Sequence, residues 1–144
     1  MRDDHGVPPP LARIYETVLY ADDLPAAVGF YRDVLGLHPA DELDDLGAAF
    51  RLPEGAVLLI FEPSLSSRPG RPVPSHGAVG AGHVAFQVDA PALDLWREHL
   101  TGLGIAIELE QPIGVGGRQL YFRDPAGNSV ELVEGEAWPG YASL

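Results

Sequence analysis

Three side chains able to grip a divalent cation, Glu16, His83 and Glu131, fall on matching positions when the chain is laid over itself. An offset of 67 residues puts Glu16 on His83 and Asp22 on Asp89. An offset of 72 puts Leu59 on Glu131, and Phe50-Arg51-Leu52-Pro53-Glu54-Gly55 on Phe122-Arg123-Asp124-Pro125-Ala126-Gly127. Such self-similarity is the mark of a duplicated unit, and equivalent positions of two facing copies converge on the axis between them. Two carboxylates gathered there repel each other and shift toward protonation unless a cation lies between them. A divalent ion removes that cost, and three protein ligands leave it positions for a substrate. The other reading of the same residues is a metal-free cleft, with Glu16 solvated and His83 hydrogen-bonded.

Each of these residues needs a strand to carry it. Arg13 to Ala21 alternates Ile14, Glu16, Val18 and Tyr20 with Tyr15, Thr17, Leu19 and Ala21, a half-buried strand. Asp22-Asp23 offers an N-cap, Ala27, Phe30, Tyr31, Val34 and Leu35 follow at helical spacing, and Gly36 can close the helix. Short strands are predicted at about 38–44, 47–52 and 56–62. Residues 63–82 carry Pro63, Pro69, Pro72 and Pro74 with Ser and Gly between, which predicts a linker without periodicity. The pattern then begins again with a strand over 83–88, a cap at Asp89 and a helix marked by Leu93, Trp96, Leu100 and Leu103. Strands at about 105–111, 117–123 and 129–134 complete it, with Asp124-Pro125-Ala126-Gly127-Asn128 as a tight turn. The predicted organisation is a flexible arm (1–11), a βαβββ module (12–62), a linker (63–82), a second βαβββ module (83–134) and a tail (135–144). Trp138, Pro139 and Tyr141 make that tail apolar enough to pack on the body or on a second chain. The predicted fold class is α+β, two tandem modules forming a curved mixed sheet around a cleft.

Gln119 and Tyr121 share a strand face with the three ligands and are candidates to orient a substrate; Tyr20 and Gln87 are weaker ones. Arg118 reads as a surface residue. His5, His38, His76 and His99 lack partners by spacing and read as solvated or capping. A net charge of −12, with all nine basic residues arginine, argues against nucleic acid and anionic membranes as partners. The lack of cysteine removes disulfide and thiolate chemistry, and no apolar run reaches the ~20 residues of a membrane span. With no apolar leader at the N-terminus, these features predict a cytoplasmic protein.

Three segments carry a resemblance: Ile14 to Leu37, with Asp22-Asp23-Leu24 and Phe30-Tyr31-Arg32-Asp33-Val34-Leu35-Gly36-Leu37; Gly82-His83-Val84-Ala85-Phe86; and Tyr121 through Glu131. In order and spacing they resemble the vicinal oxygen chelate superfamily, which includes glyoxalase I, fosfomycin resistance proteins, extradiol dioxygenases and bleomycin-binding proteins. The resemblance implies metal ligands at Glu16, His83 and Glu131, and a bound Mn, Fe, Ni, Co or Zn. It also implies a catalytic carboxylate, for which Glu131 is the candidate, and a small substrate chelated through neighbouring oxygens in a lyase, isomerase or dioxygenase reaction. Leu59 stands where glyoxalase-like members carry a fourth ligand, and the chain has no lysine for the fosfomycin branch. Small members of this length resemble one another in forming homodimers, often with each site built from modules of two chains, so the resemblance implies a homodimer. The competing class is a metal-free, bleomycin-type binding protein.

Overall fold

Alternation along the strands sorts the side chains onto two faces, one packed under helices and one left open. The computed structural model describes residues 6–42 and 46–138; the expectations for His5, Pro139 and Tyr141 lie outside the described residues. The first module contains β1 (Glu16–Tyr20), α1 (Leu24–Gly29), β2 (His38–Glu42), β3 (Gly47–Arg51) and β4 (Val57–Phe61). Its sheet runs in the order β1-β4-β3-β2, with β1 parallel to β4 and the other pairs antiparallel. The second module repeats this plan with β5 (His83–Val88), α3 (Ala92–Gly102), β6 (Leu109–Ile113), β7 (Gly117–Arg123) and β8 (Ser129–Glu134), ordered β5-β8-β7-β6. The chain thus holds the α+β fold of two tandem βαβββ modules.

One hydrophobic core serves both copies. Leu19, Ala48, Phe50, Leu58 and Ile60 from the first sheet and Leu120, Phe122, Val130 and Leu132 from the second are buried in a single cluster with Tyr31, Leu93 and Leu100 from the helical layer. Burying each of these large side chains fully contributes about 1.5–3 kcal/mol. Phe30 packs at 6.1 Å from Phe122 and His99 Nε2 donates to Val34 O at 2.8 Å, so the helices bind across modules. Among the described residues no helix is long and apolar enough to cross a membrane.

Local departures from the expected elements have identifiable causes. The first helix begins as expected, with the Asp23 carboxylate accepting from Ala26 N, but widens at Phe30–Val34 into a π-helical turn in which Leu35 N reaches back to Phe30 O. Asp89 does not cap α3 with its side chain. The Leu93 amide is instead met by the Glu134 carboxylate at 3.0 Å, a partner 41 residues away that no local pattern reveals. The linker is not wholly irregular: Pro63–Ser66 forms a short helix, α2, whose first amides at Ser64 and Leu65 are capped by Glu62. Residues 105–108 lie outside β6, although Glu108 N still donates to Tyr121 O.

Candidate functional site

On the second sheet, strand register decides which groups meet. β5 pairs Ala85 with Glu131 and His83 with Ser129, while β7 pairs Tyr121 with Glu131 and Gln119 with Val133. Equal parity then places His83, Gln119, Tyr121 and Glu131 on the face away from the shared core. Glu131 is buried at 6% exposure, a position a carboxylate occupies only with partners. Its Oε2 accepts from Gln119 Nε2 at 3.1 Å, and Gln119 Oε1 accepts in turn from Gln111 Nε2 at 3.0 Å. Gln119 is itself buried and committed to this chain, so it positions Glu131 rather than standing free for a substrate as expected.

The other carboxylate oxygen faces His83. His83 Nδ1 lies 3.0 Å from Ser129 O, and since a carbonyl only accepts, Nδ1 must carry the proton. In the neutral ring the lone pair is therefore on Nε2, which sits 3.4 Å from Glu131 Oε1. Two acceptors held face to face repel unless a proton or a cation lies between them. This is the tautomer a metal-ligating histidine needs, fixed by a backbone carbonyl in the usual way. Tyr121 flanks the pair, its ring stacked near the His83 imidazole with centroids 6.2 Å apart. Burial, and after it the Glu131 carboxylate, push the Tyr121 phenol up to about 12. It is thus a proton donor, not an anion, at any ordinary pH.

That elevation sets a measurable pH dependence. The phenol keeps its proton in the folded chain where an unfolded tyrosine loses it, so stability is level below pH 10 and falls as pH rises toward about 12. The phenolate absorbance of the parent minus that of Tyr121→Phe should show a component titrating near 12; a component near 10 would contradict this placement.

Glu16 is on the matching open face of the first sheet, exposed, in register with Val57. The chain does not bring it to His83 and Glu131: among the described residues no three His, Asp or Glu side chains come close enough to hold a metal ion. The reason lies in the junction. The opposite end of β1 meets the second module, where Asn128 Nδ2 donates to Tyr20 O and Asn128 Oδ1 accepts from Gly82 N. Glu16 is four residues back along the strand, about 13 Å away. Leu59 pairs with Val18 in an apolar strip that continues to Ala49 and Phe61. Tyr20 ends that strip, its hydroxyl 2.8 Å from His76 Nδ1, so the half-buried His76 has a partner that spacing did not reveal. Gln87 is exposed and donates to Gly135 O. Arg118 is the surface residue expected, paired with Asp94 at 2.8 Å and Glu110 at 2.9 Å.

The turn 124–128 holds the modules in this relation. Asp124 Oδ1 accepts from the Ala126 and Asn128 amides, while Oδ2 accepts from Asn128 Nδ2 at 2.9 Å and from the Tyr31 hydroxyl at 2.7 Å. Gly127, at φ +87°, supplies the left-handed residue the turn requires. Sequence reading saw a turn here but not its role as a clasp. The available signal was an Asp and an Asn four apart, more acceptors and donors than a solvent turn uses. Gln111 was likewise missed as a partner of Gln119, though adjacent antiparallel strands put the two opposite one another. A cavity of about 880 Å³ lies over this junction, lined by Tyr20, Asp22, Asp23, Gly77 and Pro125 among others. Neither Glu16, His83 nor Glu131 borders it, so chemistry rather than size identifies the site.

The sequence and the two-module fold both have counterparts among known proteins. The sequence pattern of the Glyoxalase/Bleomycin resistance protein/Dioxygenase superfamily matches residues 13–132. A solved lactoylglutathione lyase from Agrobacterium tumefaciens is 44% identical, covering 91% of this chain and 99% of its own, with a TM-score of 0.84. A glyoxalase/dioxygenase from Nostoc punctiforme is 30% identical over 91% of this chain and 99% of its own, with a TM-score of 0.65. Biphenyl-2,3-diol 1,2-dioxygenase 3 of Rhodococcus globerulus is 35% identical over 83% of this chain, which spans only 62% of that enzyme. Fold and sequence agree, and the chain belongs to the Glyoxalase/Bleomycin resistance protein/Dioxygenase superfamily.

Proposed function

We propose that this chain is a divalent-metal-dependent enzyme that acts on a small substrate through two neighbouring oxygens, in a lyase, isomerase or dioxygenase reaction. One observation carries the reading: His83 Nε2 and Glu131 Oε1 face each other at 3.4 Å with the imidazole proton committed to Ser129 O. A buried carboxylate opposing a lone pair suits a cation. His83 and Glu131 would hold it, with Glu16 as third ligand contributed by a second copy, since one chain keeps Glu16 apart from them. A homodimer with modules of two chains around each site follows from this, as does action in the cytoplasm for a cysteine-free chain. The likeness to a lactoylglutathione lyase favours lyase or isomerase chemistry; the likeness to a biphenyl-diol dioxygenase keeps oxygenation beside it.

When bound, a divalent ion supplies Lewis acidity to the chelated oxygens. The chain's own residues do the rest. Gln119, braced by Gln111, fixes one oxygen of Glu131, so the carboxylate presents a defined edge. Glu131 would then take a proton from substrate carbon or hydroxyl. Tyr121, protonated and beside it, donates to developing negative charge.

The apolar strip Val18–Leu59–Phe61 on the first sheet, away from the main core, favours a second reading, a metal-free binding protein. Elemental analysis of protein purified without chelator separates the two. Stoichiometric Mn, Fe, Ni, Co or Zn is expected; a metal-free preparation that also fails to take up any of these ions would leave the binder.

A further inference from the structure

We propose that Arg71 and His76 form an anion-recognition site at the Tyr20 end of the first module's open face. It takes a carboxylate carried at the far end of an apolar substrate body. The inference rests on the reading of this face as a substrate wall, but not on the presence of metal.

The wall has a direction. In the β1–β4 register Glu16 stands opposite Val57, Val18 opposite Leu59, and Tyr20 opposite Phe61. One end carries a carboxylate, the middle is hydrocarbon, and the other end is roofed by the linker. Two cation-capable linker side chains rest there on the same ring: the Arg71 guanidinium carbon is 5.9 Å from the Phe61 centroid, and the His76 ring packs edge-on at 4.7 Å. Both are anchored to one carbonyl, Ser66 O, which accepts from His76 N at 3.0 Å and from Arg71 Nη1 at 2.8 Å. Both side chains are half-buried, enough to be held and to remain reachable.

The hydrogen-bond inventory gives the site its sign. Arg71 uses Nη1 on Ser66 O, and its Nε and Nη2 have no partner among the described residues. His76 Nδ1 sits at the Tyr20 hydroxyl, and when it accepts that proton, Nε2 carries the ring's own N–H with no partner among the described residues. What faces outward is a set of donors without an acceptor. Arg32 pairs with Asp33, Arg97 and Arg118 with Asp94 and Glu110, and Arg123 with Glu108. Arg71, like Arg13, Arg51 and Arg68, has no carboxylate partner among the described residues, and it is held beside the His76 ring over Phe61. The neighbouring Glu62 is spent on the α2 amides and Asp23 on α1. Fork-shaped guanidinium donors beside an imidazole N–H suit a planar carboxylate. About 13 Å of strand separates this end from Glu16, room for a substrate with its chelating oxygens at one end and its acid at the other.

The test uses the full-length protein, stripped of metal, and two probes of one shape: 4-phenylbutyrate and its neutral amide, 4-phenylbutanamide, compared by titration calorimetry. The acid should bind about 10-fold more tightly or better, the discrimination typical of hydrogen bonds to a charged group. Arg71→Gln should remove most of that preference, and Arg71→Lys should restore part of it. Glu131→Ala should leave it unchanged, which separates failure of this site from failure of the metal reading. Equal affinity for acid and amide overturns the proposal, as does binding of neither, or a preference that survives Arg71→Gln. Should Arg71→Gln not fold, chemical-shift mapping on the parent protein decides: acid-dependent shifts must centre on the Arg71 and His76 side chains, and their absence there overturns it.

Discussion

On the proposed metal reading, Glu131→Ala is expected to abolish retention of a divalent cation and Gln119→Leu to weaken it by about 10- to 100-fold, the range typical when a group orienting a metal ligand is removed. The two substitutions act on one oxygen pair from opposite sides. Alanine deletes the carboxylate that faces His83 Nε2. Leucine leaves that carboxylate but removes the amide fixing its other oxygen, and strands Gln111, whose amide donates to Gln119 Oε1. Binding constants for added Zn or Mn, measured with a competing chelator, give both numbers. Glu131→Ala protein that retains metal at the parent's stoichiometry would remove this site. A Gln119→Leu protein with unaltered affinity would show that Glu131 needs no bracing.

Asp124→Ala is expected to cost about 3–5 kcal/mol of unfolding free energy, and Tyr31→Phe about 1–2 kcal/mol. The asymmetry follows from what each deletion leaves behind. Removing Asp124 orphans two backbone amides and a fully buried Tyr31 hydroxyl, and takes one of two acceptors from Asn128 Nδ2. Removing the Tyr31 hydroxyl leaves the carboxylate three other donors. Burial, followed by the charge of Asp124, holds the Tyr31 phenol far above its ordinary value, so it stays a donor throughout. Urea denaturation of each variant reads the cost directly. A loss below about 1 kcal/mol for Asp124→Ala would mean the clasp contributes little beyond a surface turn.

Much of the architecture could be read from periodicity, because each strand alternates between a hydrocarbon face and a mixed one. Thr17 and Leu19 against Val18 and Tyr20 is enough to place Glu16 on the open face, and the repeat then places His83 and Glu131. What could not be read are contacts between residues far apart in sequence. Glu134 replaces Asp89 in serving the start of α3, and His76 reaches Tyr20 across 56 residues from a segment without pattern. The pairing of Gln119 with Gln111 and Glu131 could not be read either, since it depends on register between strands rather than on parity within one. The convergence of all three ligands was expected from the internal symmetry. Within one chain His83 and Glu131 meet while Glu16 is held elsewhere, because the modules join through the Tyr20 end of β1.

The two turns related by the repeat have parted ways. Both keep the bend, with Gly55 at φ +97° and Gly127 at φ +87°. Where the second has Asp124 and Asn128, however, the first has Leu52 and Ala56. One half has become the key and the other the lock: the key's carboxylate seeks a tyrosine that only the other half supplies. A tandem of two first halves would leave Tyr31 with no acid to greet it, and a tandem of two second halves would have acids with no Tyr31. The descendants of a copied unit are no longer exchangeable: one of each is needed for this single bend to find its partner.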